Sequence, residues 1–147
     1  MEPLFYHLSN LVTRNDYRKL QKAKDFFGNW KNVWENIKKT EKSDLNPEVE
    51  WKKLQKLNIN LVLNESLDYP VLLKEIPWPP FGIYSIGALN KINEPTLAIV
   101  GTRKATENGK ELARIFASSL VLSGINIVSG LALGIDASSH AGAIEAK

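Results

Sequence analysis

Thr96-Leu97-Ala98-Ile99-Val100-Gly101-Thr102-Arg103-Lys104-Ala105-Thr106 is an apolar run that breaks at a glycine and ends on a helix-capping threonine. The pattern returns in Ile125-Asn126-Ile127-Val128-Ser129-Gly130-Leu131-Ala132-Leu133-Gly134-Ile135-Asp136. Short, nearly all-apolar strands of this kind belong inside a parallel sheet covered on both faces. Between them, Thr106 can cap a helix starting at Glu107, whose acidic first turn suits the helix dipole. Leu112, Ile115, Phe116, Ser119, Leu120 and Ser123 would line one face of that helix. Gly124 would end it in the left-handed conformation. A second helix is expected over residues 136–146. The order strand, loop, helix, strand, loop, helix predicts a parallel sheet with right-handed crossovers, an α/β arrangement of Rossmann-like type. Lys147 falls where another strand is expected, so the chain reads as truncated within that sheet.

Upstream, Ile59 to Leu63 and Phe81 to Ile86 read as strands, and Tyr69-Pro70-Val71-Leu72-Leu73 begins a short helix. Pro77-Trp78-Pro79-Pro80 excludes helix and central strand, because proline lacks the N–H and fixes φ. Asn93-Glu94-Pro95 reads as a turn. Residues 1–58 differ in character, with Gly28 their one glycine. Leu4, Leu8, Leu11 and Val12 recur at helical spacing. So do Tyr17, Leu20, Ala23 and Phe27, then Trp30, Val33, Trp34 and Ile37. Gly28 and Asn29 turn the chain, and Pro47 opens a further helix with Val49, Leu54 and Leu57 as its apolar face. Tryptophans 30, 34 and 51 at this spacing read as core. Two regions follow: a helical N-terminal domain, 1–58, and a partial Rossmann-like domain, 59–147.

The chain has 147 residues, no cysteine, two histidines and a net charge of +3. The surplus lies in residues 1–58, with 12 Lys/Arg against 8 Asp/Glu. No cysteine means no disulfide, thiolate nucleophile or cysteine zinc site, and fits a cytoplasmic protein. No metal site or cofactor is expected, and no apolar run is long enough to span a bilayer.

Ligands of open parallel sheets bind beyond the carboxyl ends of the strands. Two loops leave those ends: Gly101-Thr102-Arg103-Lys104-Ala105-Thr106 and Ser129 to Gly134. Helix N-termini behind them favour anions. Gly101, Gly130 and Gly134 would let a phosphate approach the backbone. Thr102, Thr106 and Ser129 would add hydroxyls, and Arg103 with Lys104 would add positive charge. The alternative, that these glycines merely make tight turns, stands beside this reading. No GxGxxG, GxxxxGK[ST] or GxSxG is present, which argues against NAD, P-loop and hydrolase chemistry. Asp136 reads as a helix-start carboxylate, and His140 as a packing residue.

The segments Ala98 to Thr106, Gly109, and Val128 to Asp136 with His140 and Gly142 closely resemble the DNA-processing protein A (DprA/Smf) family. Asp68-Tyr69-Pro70, Leu73, Pro79-Pro80, Tyr84 and Gly87 follow the same pattern, so the resemblance covers about residues 59 to 147. It implies a non-enzymatic, cytoplasmic binder of single-stranded DNA that helps load RecA recombinase during natural transformation. It also implies an extended Rossmann-like domain and, in the full-length family, a homodimer. Carried over, Gly101-Thr102-Arg103 meets the DNA backbone with Arg103 as the main positive contact. Ser129, Gly130 and Gly134 meet the adjacent phosphate. Leu133 departs from the pattern, standing where a number of relatives carry a basic residue. The first 58 residues match loosely and lack a glycine-bearing hairpin. Two other function classes remain at this point. One is a nucleotide enzyme such as a nucleoside-monophosphate phosphoribohydrolase, with Glu107 the nearest candidate acid. The other is a pure interaction module.

Overall fold

The computed structural model describes residues 1–89 and 94–146. Asn93, expected in a turn, and the chain end at Lys147 lie outside them. Packing divides the chain into two units, Met1–Leu89 and Asn90–Lys147. The shift in composition near Asn58 therefore marks a change of element type, while the division in packing comes later.

The first unit begins with four helices: α1 (Glu2–Thr13), α2 (Tyr17–Phe27), α3 (Trp30–Thr40) and α4 (Pro47–Lys56). Each of the last three starts on a side-chain cap. Asp16 accepts from the Lys19 N–H at 3.0 Å, Asn29 from Asn32 at 2.8 Å, and Asn46 from Glu48 at 3.0 Å. Such caps satisfy first-turn donors that have no intrahelical partner. The Glu2 carboxylate also accepts the Trp30 backbone N–H at 2.7 Å, joining the starts of α1 and α3. Strands β1 (Asn60–Leu63) and β2 (Gly82–Ser85) pair antiparallel, with Leu61 opposite Tyr84 and Leu63 opposite Gly82. The short helix α5 (Val71–Lys74) lies between them.

Phe81 and Leu63 enter the core formed by Tyr6, Leu20, Trp30, Val33 and Ile37, so hairpin and helices share one interior. That shared core is why the unit runs past residue 58. Trp30 meets Tyr6 and Phe81 edge-on at 4.8 and 5.2 Å between ring centres, the geometry the ring quadrupoles favour. Trp30 and Trp34 are buried as expected, and Trp51 is half-buried. On α4 the expected apolar face is reduced to Leu54: Val49 and Leu57 lie in solvent, and Glu50 joins Leu54 on the buried side. Residues 50 and 54 are one helical turn apart and turn together, which leaves 49 and 57 outside.

His7 of α1 is buried, with Nδ1 2.9 Å from the Tyr84 hydroxyl. Burial pushes the imidazole below its ordinary pKa; Glu50 pulls it up and Lys53 pushes it down, both less strongly. Below about pH 6.5 the unfolded chain then binds more protons than the native one. The contribution is full above that pH and is lost as pH falls toward the depressed native value. Urea midpoints should therefore drop between pH 7 and pH 5, and His7→Gln should flatten that part of the profile. An unchanged slope in the variant would contradict the assignment.

The second unit contains β3 (Thr96–Ala98), α6 (Glu107–Leu122), β4 (Asn126–Val128) and α7 (Ile135–Glu145). β3 and β4 pair in parallel, with Leu97 opposite Ile127, as the alternating order of elements requires. Thr106 caps α6 by accepting from the Gly109 N–H at 3.2 Å, and Gly124 follows α6 at φ 81°. α6 and α7 pack on each other, and a Cβ at Gly142 would fall on the Arg114 carbonyl. So close a crossing admits small side chains, and Ala113 and Ala117 are the buried residues of α6. The larger apolar side chains expected to face inward, Leu112, Ile115 and Phe116, are 55, 51 and 62% exposed. β3 is exposed along its length instead of covered on both faces, and it ends before Ile99. Both helices contact β4 and each other.

Candidate nucleic-acid interface

The two loops at the strand ends lie side by side. The Ile135 N–H donates to the Thr102 carbonyl at 3.3 Å, and the Ser129 hydroxyl donates to the Ile99 carbonyl at 2.6 Å. Gly134 sits at φ 84°, where L side chains are disfavoured, and a Cβ there would strike the Thr102 carbonyl. Absence of a side chain thus lets the second loop press against the first. Leu131 also takes a positive φ, 57°, which a branched side chain adopts at a cost of about 1–2 kcal/mol.

The feature that joins the loops is Asp136. Its carboxylate accepts the Gly101 N–H at 3.2 Å through one oxygen and the Gly130 N–H at 3.1 Å through the other. The side chain is buried, at 6% exposure, behind the first turn of α7, where the helix dipole favours a negative charge. A Cβ at Gly130 would come within 2.9 Å of that carboxylate, and one at Gly101 within 2.7 Å of Ile135. These glycines make room for the carboxylate and for Ile135.

This geometry changes the expected roles. Gly101 and Gly130 were expected to let a phosphate approach the backbone, and the N–H groups of both are held by the protein's own anion. Ser129 spends its proton on Ile99, Thr106 serves the helix cap, and Gly134 acts through its missing side chain. Thr102 Oγ1 accepts the Lys104 N–H at 3.2 Å. What remains free lies one layer further out. The backbone N–H groups of Thr102 and Arg103 have no hydrogen-bond partner among the described residues. Arg103 and Lys104 are exposed, and among those residues neither forms an ion pair. The clamp was missed in the sequence, although asking which group receives the Gly101 N–H would have pointed to an acid at the start of the second helix.

Glu107, the candidate acid of an enzymatic reading, lies in solvent and pairs with Lys110 at 2.7 Å. The His140 Nε2 is buried with no hydrogen-bond partner among the described residues, in keeping with a packing residue. Among the described residues no helix is long and apolar enough to cross a membrane.

Comparison with known proteins agrees with the motifs. Over 104 residues the chain is 40% identical to Protein Smf of Synechocystis, covering 68% of this chain and 26% of that protein. It is 39% identical over 90 residues to DNA processing protein DprA of Bacillus subtilis, covering 60% of this chain and 30% of that protein. The chain thus spans under a third of the length of these relatives. An X-ray structure of DNA processing protein A from Streptococcus pneumoniae superposes with a TM-score of 0.65 at 22% identity. That match covers 97% of this chain and 54% of the other, and it shows a shared fold. The family model for DNA recombination-mediator protein A matches residues 60–147, which take in both strand-end loops and the Asp136 clamp, and the chain belongs to that family.

Proposed function

We propose that this chain binds single-stranded DNA without sequence preference, as part of a mediator that brings RecA recombinase onto the strand during natural transformation. The reading rests chiefly on one observation: an exposed Arg103-Lys104 pair, free of carboxylate partners among the described residues, on a loop whose Gly101 N–H is held by Asp136. A phosphate oxygen can accept from the Thr102 and Arg103 N–H groups while the guanidinium forks onto the same phosphate. The α6 N-terminus behind the loop adds its positive dipole end. No bond in the DNA is made or broken, and sequence plays no part, because phosphates carry no base identity.

Binding of this kind releases counterions. A labelled oligothymidylate titrated at rising salt should lose affinity linearly on a log–log plot, by about 0.7 in slope for each phosphate neutralised. A salt-independent affinity, or no binding at low salt, would contradict the proposal. Dimerisation and a RecA-facing surface belong to the same proposal and are expected of the longer relatives.

A further inference from the structure

Within the first unit a groove of about 960 Å³ opens between α2 and the proline-rich segment before β2. Tyr17, Arg18, Lys22, Asn64, Trp78 and Phe81 line it. Its volume is that of a ligand cleft.

Three features bear on what it holds. Trp78 is 75% exposed, although such a ring is normally buried. Pro77 and Pro79 flank it and restrict the backbone, so less entropy is lost when something stacks on it. Tyr17, half-buried and stacked on the core ring of Phe81 at 4.9 Å and 16° from parallel, supplies a further aromatic edge. The charges on the groove are of one sign. Arg18 and Lys22, one turn apart on α2, are exposed and unpaired among the described residues, and no carboxylate lines the groove. Of the nearby acids, Glu65 pairs with Lys24 at 2.8 Å, while Asp25, outside the groove lining, accepts from the Gln21 amide at 2.7 Å and keeps its charge.

We propose that this groove is a second binding site for single-stranded nucleic acid, separate from the strand-end loops, in which an unpaired base stacks on Trp78 and Arg18 and Lys22 hold the flanking phosphates. Aromatic faces beside a basic track are what sequence-tolerant single-strand binding requires. The Asn64 side chain offers both a donor and an acceptor to a base edge. A proline-rich peptide also docks on aromatic grooves, but it would bring no negative charge to meet Arg18 and Lys22. The inference depends on the proposed function for its biological sense, and its own residues all lie in the first unit.

The test titrates the full chain with a short oligothymidylate, following tryptophan fluorescence and, separately, anisotropy of a labelled strand. Trp78 is the exposed tryptophan to be quenched, and Trp78→Phe should remove the quench while keeping much of the affinity. Trp78→Ala should bind about tenfold more weakly. The double variant Arg18→Ala/Lys22→Ala should reduce the salt slope by about 1.4, two phosphates' worth. Trp78 and both cations lie at the surface, so these variants should fold. Arg103→Ala, measured alongside, separates the two sites. Loss of affinity at Trp78 but not at Arg103 would support the groove and contradict the loop reading. Loss at Arg103, with Trp78→Ala and the double variant binding like the parent, would overturn the groove. Quenching of Trp78 by a polyproline peptide but not by the oligonucleotide would overturn it too, in favour of a peptide site.

Discussion

Asp136→Ala is expected to lower the stability of the second unit by about 3–5 kcal/mol. The carboxylate accepts two backbone N–H groups, from Gly101 and Gly130, and it is buried. A hydrogen bond to a charged group is worth about 1.5–3 kcal/mol, and its loss here leaves a part-buried donor without a partner in each loop. Asp136→Asn should cost less, because the amide keeps one acceptor oxygen but turns an NH₂ group toward the other N–H. Urea denaturation measures the loss. Amide hydrogen exchange locates it, with Gly101 and Gly130 exchanging faster in both variants. A stability within 1 kcal/mol of the parent for Asp136→Ala would mean that the clamp does not hold the loops together.

Arg103→Ala is expected to weaken binding to single-stranded DNA by about 1.5–3 kcal/mol, roughly ten- to 150-fold. The side chain is exposed and has no ion-pair partner among the described residues, so its removal should not unfold the unit. Arg103→Lys should restore part of the affinity, since a lysine keeps the charge but loses the planar fork. The salt slope should fall by about 0.7 in Arg103→Ala and stay near the parent value in Arg103→Lys. Thermal unfolding at the parent temperature would show that any loss is local. Unchanged affinity in Arg103→Ala would remove the loop from the binding site.

The local code was well written in the sequence. Thr106 caps α6 as expected, because a short polar side chain before an apolar-periodic run has donors waiting for it; the same rule accounts for Asn29, read as a turn residue, and Asn46, the residue before Pro47. Gly124 ends α6 because a left-handed residue is needed there. The parallel pairing of β3 and β4 follows from a helix intervening between short apolar strands. The adjacency of the two loops follows from the same topology.

Less legible were the features set by what packs against what. Leu112, Ile115 and Phe116 have the spacing of a core stripe. Instead Gly142 lets α7 approach the Arg114 backbone closely, and the residues α6 buries are the small Ala113 and Ala117. Periodicity gives a stripe its angle but not its partner. The unit boundary after Leu89 was hidden because Phe81 and Leu63, strand residues by pattern, fill the helical core. In the site, the glycines singled out by their spacing make room for a carboxylate of the chain itself, and the proposed phosphate contact accordingly falls on Thr102, Arg103 and Lys104.

Amide chemical shifts of the second unit, followed while oligothymidylate is added to the labelled chain at low salt, test this arrangement most directly. The Thr102, Arg103 and Lys104 resonances should move with increasing strand, while Gly101 and Gly130, held by Asp136, should keep the same partner and shift little. Large shifts at Gly101 and Gly130, or a titration in which residues 102–104 do not respond, would contradict it.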